Sequence, residues 1–295
     1  PELLEQARCN ARYLPDTGFP DALRVDGDLQ RVIETNADIL ICVPSHAFRP
    51  VLEQVRPYLD DSKRLSWATK GFEQETGKLP HQVAIEVLGT GRSLAVLSGP
   101  TFATEVGAGL PTAITVAATE PTFAEELAER ISTPQFRAYT SGDIIGVEVG
   151  GAVKNVLAIA AGMSDGFGYG ANTRVAVICR GLNEMTRLGV ALGARTETFM
   201  GLSGMGDLVL TCTDDQSRNR RMGLALASGR DVDEVAREIG QVVEGVYAAK
   251  AVHTVAGRAG VDMPICEQVY RILYEDATPA EVVDNLMSRA LRPEN

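Results

Sequence analysis

The chain has 295 residues, a length that fits two domains at roughly 150 residues each and can bury about three quarters of its unfolded surface without a disulfide or metal staple. Its 39 acidic and 28 basic side chains give a net charge of -11. No basic surface suited to duplex nucleic acid follows from that balance, so nucleic acid is excluded as a partner.

Between residues 22 and 145 short β-type runs alternate with helical spacing. Ala37 to Val43, Arg64 to Thr69, Ser93 to Leu97, Thr112 to Ala117 and Phe136 to Tyr139 read as strands, mostly apolar and bounded by turn residues. Leu29, Val32 and Ile33, then Val51, Leu52, Val55 and Leu59, then Phe123, Leu127 and Ile131 have the helical period. Strand then helix, repeated, predicts a parallel sheet covered on both faces. From about Asp143 the strand signal stops and helical periodicity continues nearly to the C-terminus. Asp231 to Glu234 and Thr278 to Glu281 mark helix starts, an N-cap residue with Glu three positions on. Their helices are expected to bury Val232, Val235 and Ile239, and Val282, Val283 and Leu286. The predicted division is an α/β domain over 1–146 and an all-α domain over 147–295, with a site in the cleft between them.

Cys9, Cys42, Cys179, Cys212 and Cys266 are odd in number and scattered, with no zinc-ligand spacing. They predict a reducing compartment and no metal. No signal-like start and no membrane-spanning segment is expected, which reads as a cytoplasmic protein. The chain opens at Pro1-Glu2-Leu3 without an initiator Met, which admits residues before it.

Three tight-turn clusters follow predicted strands: Val43-Pro44-Ser45, Lys70-Gly71 and Ser98-Gly99-Pro100-Thr101. Parallel strands would place all three on one carboxyl edge, where open α/β sheets bind ligands; the alternative is that they only make turns. In Gly150 to Gly162, Gly150, Gly151, Ala158 and Ala161 share a helix face with Lys154, so a backbone or ligand approaches closely there. Lys154 is either desolvated toward a pKa useful for proton transfer or snorkels to solvent. Arg218 and Asn219, after Gly206-Asp207, offer either a donor fork for phosphate oxygens or a solvated helix start. His46, His81 and His253 lie in no ligand or triad spacing.

Trp67-Ala68-Thr69-Lys70-Gly71, Ser98-Gly99-Pro100-Thr101-Phe102-Ala103, Lys154-Asn155 within Gly150 to Gly162, and Gly206-Asp207 with Ser217-Arg218-Asn219-Arg220 together resemble the NAD(P)-dependent sn-glycerol-3-phosphate dehydrogenases of the bacterial type. The resemblance runs from about Arg12 through Val242-Val243-Glu244-Gly245 to the final helices. It implies a Rossmann-type domain followed by a helical substrate domain, and interconversion of dihydroxyacetone phosphate and sn-glycerol 3-phosphate for glycerophospholipid synthesis. By position, it implies that Lys154 transfers the proton, that Lys70 holds and polarises the substrate, and that Asp207 orients Lys154 and binds a hydroxyl. Gly99, Thr101, Ser217, Arg218 and Asn219 match substrate-binding positions, Arg218 facing the phosphate. Lys70, Ala103, Arg218, Val242 and Glu244 match positions near the nicotinamide of NAD or NADP. A homodimer is also implied.

One departure is large. The family's opening strand and GxGxxG-type turn have no counterpart after Pro1, so the first β-α unit and second strand are expected to be missing from these residues. If they precede residue 1, full activity is expected; if the molecule lacks them, cofactor binding is weakened. The choice between NAD and NADP stays open. Two competing readings are a non-catalytic binder of phosphate metabolites and a related dehydrogenase of 3-hydroxy acids or a phosphogluconate.

Overall fold

A computed structural model describes residues 1–290. The chain opens with α1 (Glu2–Ala7) and a small antiparallel hairpin of β1 (Cys9–Asn10) and β2 (Leu14–Gly18). The sequence patterns do not announce this hairpin, whose strands are too short to show alternation. It stands apart from the main sheet, and Thr17 packs against the backbone at Gly107. Next come α2 (Leu29–Thr35), β3 (Asp38–Ile41), α3 (Ser45–Val55), β4 (Arg64–Trp67), α4 (Pro80–Leu88) and β5 (Leu94–Ser98). They are followed by α5 (Ala103–Gly107), β6 (Thr112–Ala118), α6 (Pro121–Ile131) and β7 (Phe136–Ser141).

The five expected strands form one sheet in the order β3-β4-β5-β6-β7. It is mixed, not purely parallel: β3, β4 and β5 run together and β6 with β7, but β5 and β6 pair antiparallel, Ser98 facing Thr115. The reason lies in α5. A five-residue helix rises only about 7.5 Å, too little to return the chain along the sheet, so β6 enters from the edge where β5 ends. Both faces are covered. On β5, Leu94 and Val96 pack with Phe48 and Leu52 of α3 and Val83 of α4, while Ala95 and Leu97 turn to Phe123 and Leu127 of α6. That period of two buries β5 on both sides.

The second half is helical: α7 (Ile144–Gly166), α8 (Ala171–Ala191), α9 (Asp207–Thr213), α10 (Arg218–Ala227), α11 (Val232–Ile239), α12 (Glu244–Ala259), α13 (Pro264–Tyr274) and α14 (Pro279–Met287). Asp231 accepts from Glu234 N at 3.0 Å, and Thr278 with Glu281 closes a capping box, so both helix starts form where expected. Val235 is buried, and Val232, Ile239 and Leu286 pack against the same core; Val282 is buried, while the side chain of Val283 lies outside the described residues.

Helix α7 is the axis of the molecule. Its Val147 belongs to the apolar core of the sheet and its Val149 to that of the helices. Contrary to the sequence expectation, α7 is long and apolar enough to cross a membrane by length and composition, but 83% of that window is buried inside the protein. A core helix enclosed by other helices needs no polar face. It is crossed closely by α10, where a Cβ on Gly162 would fall 2.1 Å from Arg220 O and one on Gly223 2.1 Å from Ile159 O.

Candidate active site

Three side chains from three elements converge where the carboxyl edge of the sheet meets α7. Lys70, in the loop after β4, donates from Nζ to Asp207 Oδ2 at 2.6 Å and to Gly99 O at 3.2 Å. Lys154, on α7, donates to Asp207 Oδ1 at 2.7 Å and to Thr211 Oγ1 at 2.9 Å. Asp207 opens α9 and is only 2% exposed, with Lys154 7% exposed. One buried carboxylate thus bridges two ammonium groups. An ammonium has three hydrogens to donate, so after these bonds each lysine retains one.

The local sequence explains the convergence. Gly71 has φ +133°, and a Cβ there would stand 3.1 Å from Ser45 Cβ, so glycine lets the chain turn past α3 directly after Lys70. The stem of Lys70 then lies over Gly151, whose Cβ would sit 3.3 Å from Lys70 Cγ and 3.1 Å from Ser98 Oγ. On the same helix, the backbone of the tight π-turn over Leu202–Gly206 rests on Gly150, 2.4 Å from a Cβ position to Ser203 O. That contact sets the direction in which α9 starts and hence the aim of Asp207. The small face of α7 accommodates protein backbone and a lysine stem.

The electrostatics follow from burial. Desolvation lowers the pKa of Lys154 to about 8; Lys70 adds to the fall and Asp207 opposes it. Burial by itself would raise the Asp207 carboxyl, but the two ammonium groups hold it below the ordinary carboxylate range. Lys154 therefore neither snorkels to solvent nor stays an ordinary lysine: it is poised to change charge near neutral pH. The neighbouring Cys212 thiol is pushed up to about 12 by burial, so it remains protonated.

Thr211 is not singled out by the sequence, yet it completes the centre. Its hydroxyl accepts from Lys154 and donates to Asp207 O at 2.6 Å. The signal was its spacing, four residues beyond Asp207 and therefore on the same helix face. Asn155 and Asn219 form a second buried group, with Asn219 Nδ2 donating to Asn155 Oδ1 at 2.9 Å and Asn219 Oδ1 accepting from Gly245 N at 2.8 Å. Asn219 so joins α7, α10 and α12. Ser217 caps α10, its Oγ accepting from Arg220 N at 3.2 Å. Thr101 Oγ1 donates to Gly99 O at 3.3 Å, the same carbonyl that receives Lys70.

A neighbouring group faces the ends of β3 and β4. The Glu244 carboxylate accepts from Ser45 N at 3.2 Å and Ser45 Oγ at 2.7 Å, at the first turn of α3. Arg218 donates to Gln241 Oε1 at 3.2 Å, beside half-buried Val242; burial lowers its pKa and Glu244 opposes the change. Ala103 is exposed at the start of α5. One residue on, Thr104 hydrogen bonds to Gln216, next to Ser217. The seven candidates Lys70, Gly99, Thr101, Lys154, Asp207, Ser217 and Asn219 are buried or half-buried, Arg218, Val242 and Glu244 are half-buried, and Ala103 is exposed. Ser98 Oγ is a buried hydroxyl with no partner at the same strand end. Small, carboxylate, guanidinium and unpaired hydroxyl groups at this edge fit the nicotinamide end of a dinucleotide. The glycine-rich turn for its pyrophosphate does not occur in the 295 residues. Among the described residues no three His, Cys, Asp or Glu stand close enough to hold a metal ion.

A sheet with three parallel strands ending at a buried lysine-carboxylate centre, joined to a helical body by one axial helix, is a Rossmann-type α/β fold followed by a helical body. Comparison with known proteins gives the particular family. Residues 2–124 match the pattern of the NAD-dependent glycerol-3-phosphate dehydrogenase N-terminus and residues 143–284 that of its C-terminus. The glycerol-3-phosphate dehydrogenase [NAD(P)+] of Aeromonas hydrophila is 56% identical over 292 residues, 99% of this chain and 87% of that protein. That of Edwardsiella ictaluri is 56% identical over 293 residues, with the same coverage of both chains. The crystal structure of glycerol-3-phosphate dehydrogenase from Coxiella burnetii superposes with a TM-score of 0.94 at 46% identity, over 98% of this chain and 88% of that one. The chain belongs to the NAD-dependent glycerol-3-phosphate dehydrogenase family.

Proposed function

We propose that this chain reduces dihydroxyacetone phosphate to sn-glycerol 3-phosphate, and catalyses the reverse oxidation, at the Lys70-Asp207-Lys154 centre. The observation that carries the reading is the buried carboxylate shared by two lysines, one of them with its pKa drawn down to about 8. Ala103, Arg218, Val242 and Glu244, with Lys70 beside them, would hold the nicotinamide of NAD or NADP, which when bound would supply or accept the hydride. Everything else falls to the side chains of this protein. Lys154 gives its remaining proton to the ketone oxygen as the alkoxide develops, and takes it back as a neutral amine in the oxidative direction. Asp207 and Thr211 hold the lysine's other two hydrogens and so aim the third. Lys70 places a fixed positive charge beside the developing oxyanion.

Arg218 and the amide of Asn219 bind the phosphate end, with Ser217, Gly99 and Thr101 shaping the remaining contacts. We take the two working bodies as residues 1–146 and 147–295, with the reaction between them. The product supplies glycerophospholipid synthesis in this reading, and the protein acts in the cytoplasm as a homodimer; its five free cysteines support a reducing compartment. The test is oxidation of NADPH, and of NADH in parallel, dependent on dihydroxyacetone phosphate. A 3-hydroxy acid and a phosphogluconate are offered in the oxidative direction with NADP and NAD. Turnover of the triose phosphate alone is expected. Binding of it without turnover, or turnover of a hydroxy acid instead, contradicts the proposal.

A further inference from the structure

Helix α7 carries a buried acid, six residues before Lys154, that the proton-transfer step does not use. Glu148 is 3% exposed. Its Oε1 accepts from Trp67 Nε1 at 3.1 Å and from the backbone N–H of His81 at 2.9 Å, and its Oε2 pairs with His81 Nδ1 at 2.5 Å. Trp67 ends β4, three residues before Lys70, and His81 stands in the first turn of α4. The segment between them, residues 68–80, is the loop that carries Lys70. A single carboxylate on α7 therefore fastens both ends of that loop to the helix that carries Lys154.

Burying a carboxylate costs desolvation, and here burial pushes the Glu148 carboxyl up while His81 and Trp67 oppose it. An apolar residue of similar volume would fill the same space without that cost. What it would not supply is direction: three hydrogen bonds from two separate elements fix the loop in register with α7, whereas apolar contact lets it slide. We infer that Glu148 is a positioning residue, setting Lys70 against Lys154 through Trp67 and His81 so that both reach Asp207.

The inference rests on the reaction proposed above, so turnover of dihydroxyacetone phosphate by the wild-type protein is its control. Steady-state kcat, KM and the pH dependence of kcat are measured for Glu148→Leu, Glu148→Gln and Trp67→Phe, with folding checked by circular dichroism. Displacing a catalytic group by about 1 Å costs on the order of a hundredfold. Glu148→Leu is expected to lower kcat by roughly ten- to a hundredfold, and to move the inflection near pH 8 set by Lys154, because the Lys70 charge moves. Glu148→Gln keeps the Oε1 acceptor and can donate to a neutral His81 Nδ1, so it recovers most of kcat. Trp67→Phe keeps the ring against Phe48 but removes one donor, giving a smaller loss and a shift of the inflection in the same direction as Glu148→Leu. Wild-type kcat and an unmoved inflection in Glu148→Leu and Trp67→Phe would overturn the role, whatever happens to melting temperature. If Glu148→Leu does not fold, an unaltered kcat and inflection in Trp67→Phe overturns it. A wild-type protein inactive on the triose phosphate would instead overturn the proposed reaction.

Discussion

Lys154 engages two of its three ammonium hydrogens, on Asp207 and Thr211, which leaves the third for the proton transfer proposed above. Its pKa near 8 gives each direction of the reaction an opposite pH dependence. Ketone reduction needs the ammonium, so its kcat should fall as pH rises through about 8; alcohol oxidation needs the amine, so its kcat should rise through the same range. Stopped-flow or steady-state profiles from pH 6 to 10, run in both directions, read this directly; two profiles inclined the same way would remove Lys154 as the exchanging group. The phosphate role proposed for Arg218 predicts a different pattern, because a charge-assisted bond to phosphate would be made before the chemistry and kept through it. Arg218→Ala should raise the KM for dihydroxyacetone phosphate by roughly ten- to a hundredfold, corresponding to about 1.5–3 kcal/mol. It should leave kcat less affected, and an unchanged KM would take the phosphate away from Arg218.

Among the elements, α7 shows how a glycine-rich helix can lie at the centre of a core. Glycine weakens a helix by up to about 1 kcal/mol against alanine, but Gly150, Gly151 and Gly162 each stand where a neighbour occupies the space a Cβ would need. Gly162→Ala should therefore destabilise the protein by about 1–3 kcal/mol through overpacking against α10, despite alanine's better helix propensity. Urea unfolding measures it, and a neutral or stabilising result would show that the α7–α10 crossing relaxes easily. The close approach at this stripe was legible in the sequence, since small residues at helical spacing have few other uses. Its partners were not. Ser203 O, Arg220 O and the Lys70 stem come from residues 53, 58 and 81 positions away from their glycines in chain order, but nothing in residue spacing says which segment folds onto which face. The β5–β6 reversal escaped for a related reason: strand periodicity carries no direction, and only the length of the intervening helix decides it.

For the whole molecule, the alternation of strands and helices followed by helices alone was enough to anticipate an α/β body and an α body, because the switch from period 2 to 3.6 is a local property. The candidate site was partly legible in the same way. Lys70, Lys154 and Asp207 stand in unusual company, next to glycines or in apolar runs, and the structure places them within hydrogen-bonding distance of one another. Thr211 and Glu148 were harder to see, since a threonine and a glutamate in helical segments have many ordinary roles; only contacts over 57 and 81 positions give them meaning. In the proposed reaction, function depends on the joint between the bodies. Glu244 holds Ser45 across it, Asp207 holds Lys70 across it, and α7 belongs to both cores. The most direct test of the central claim is the turnover number of Lys154→Ala on dihydroxyacetone phosphate beside that of the wild type, at saturating cofactor and pH 7. Loss of the proton donor should lower kcat by about two to four orders of magnitude with cofactor affinity nearly unchanged; turnover within a few fold of the wild type would contradict the account.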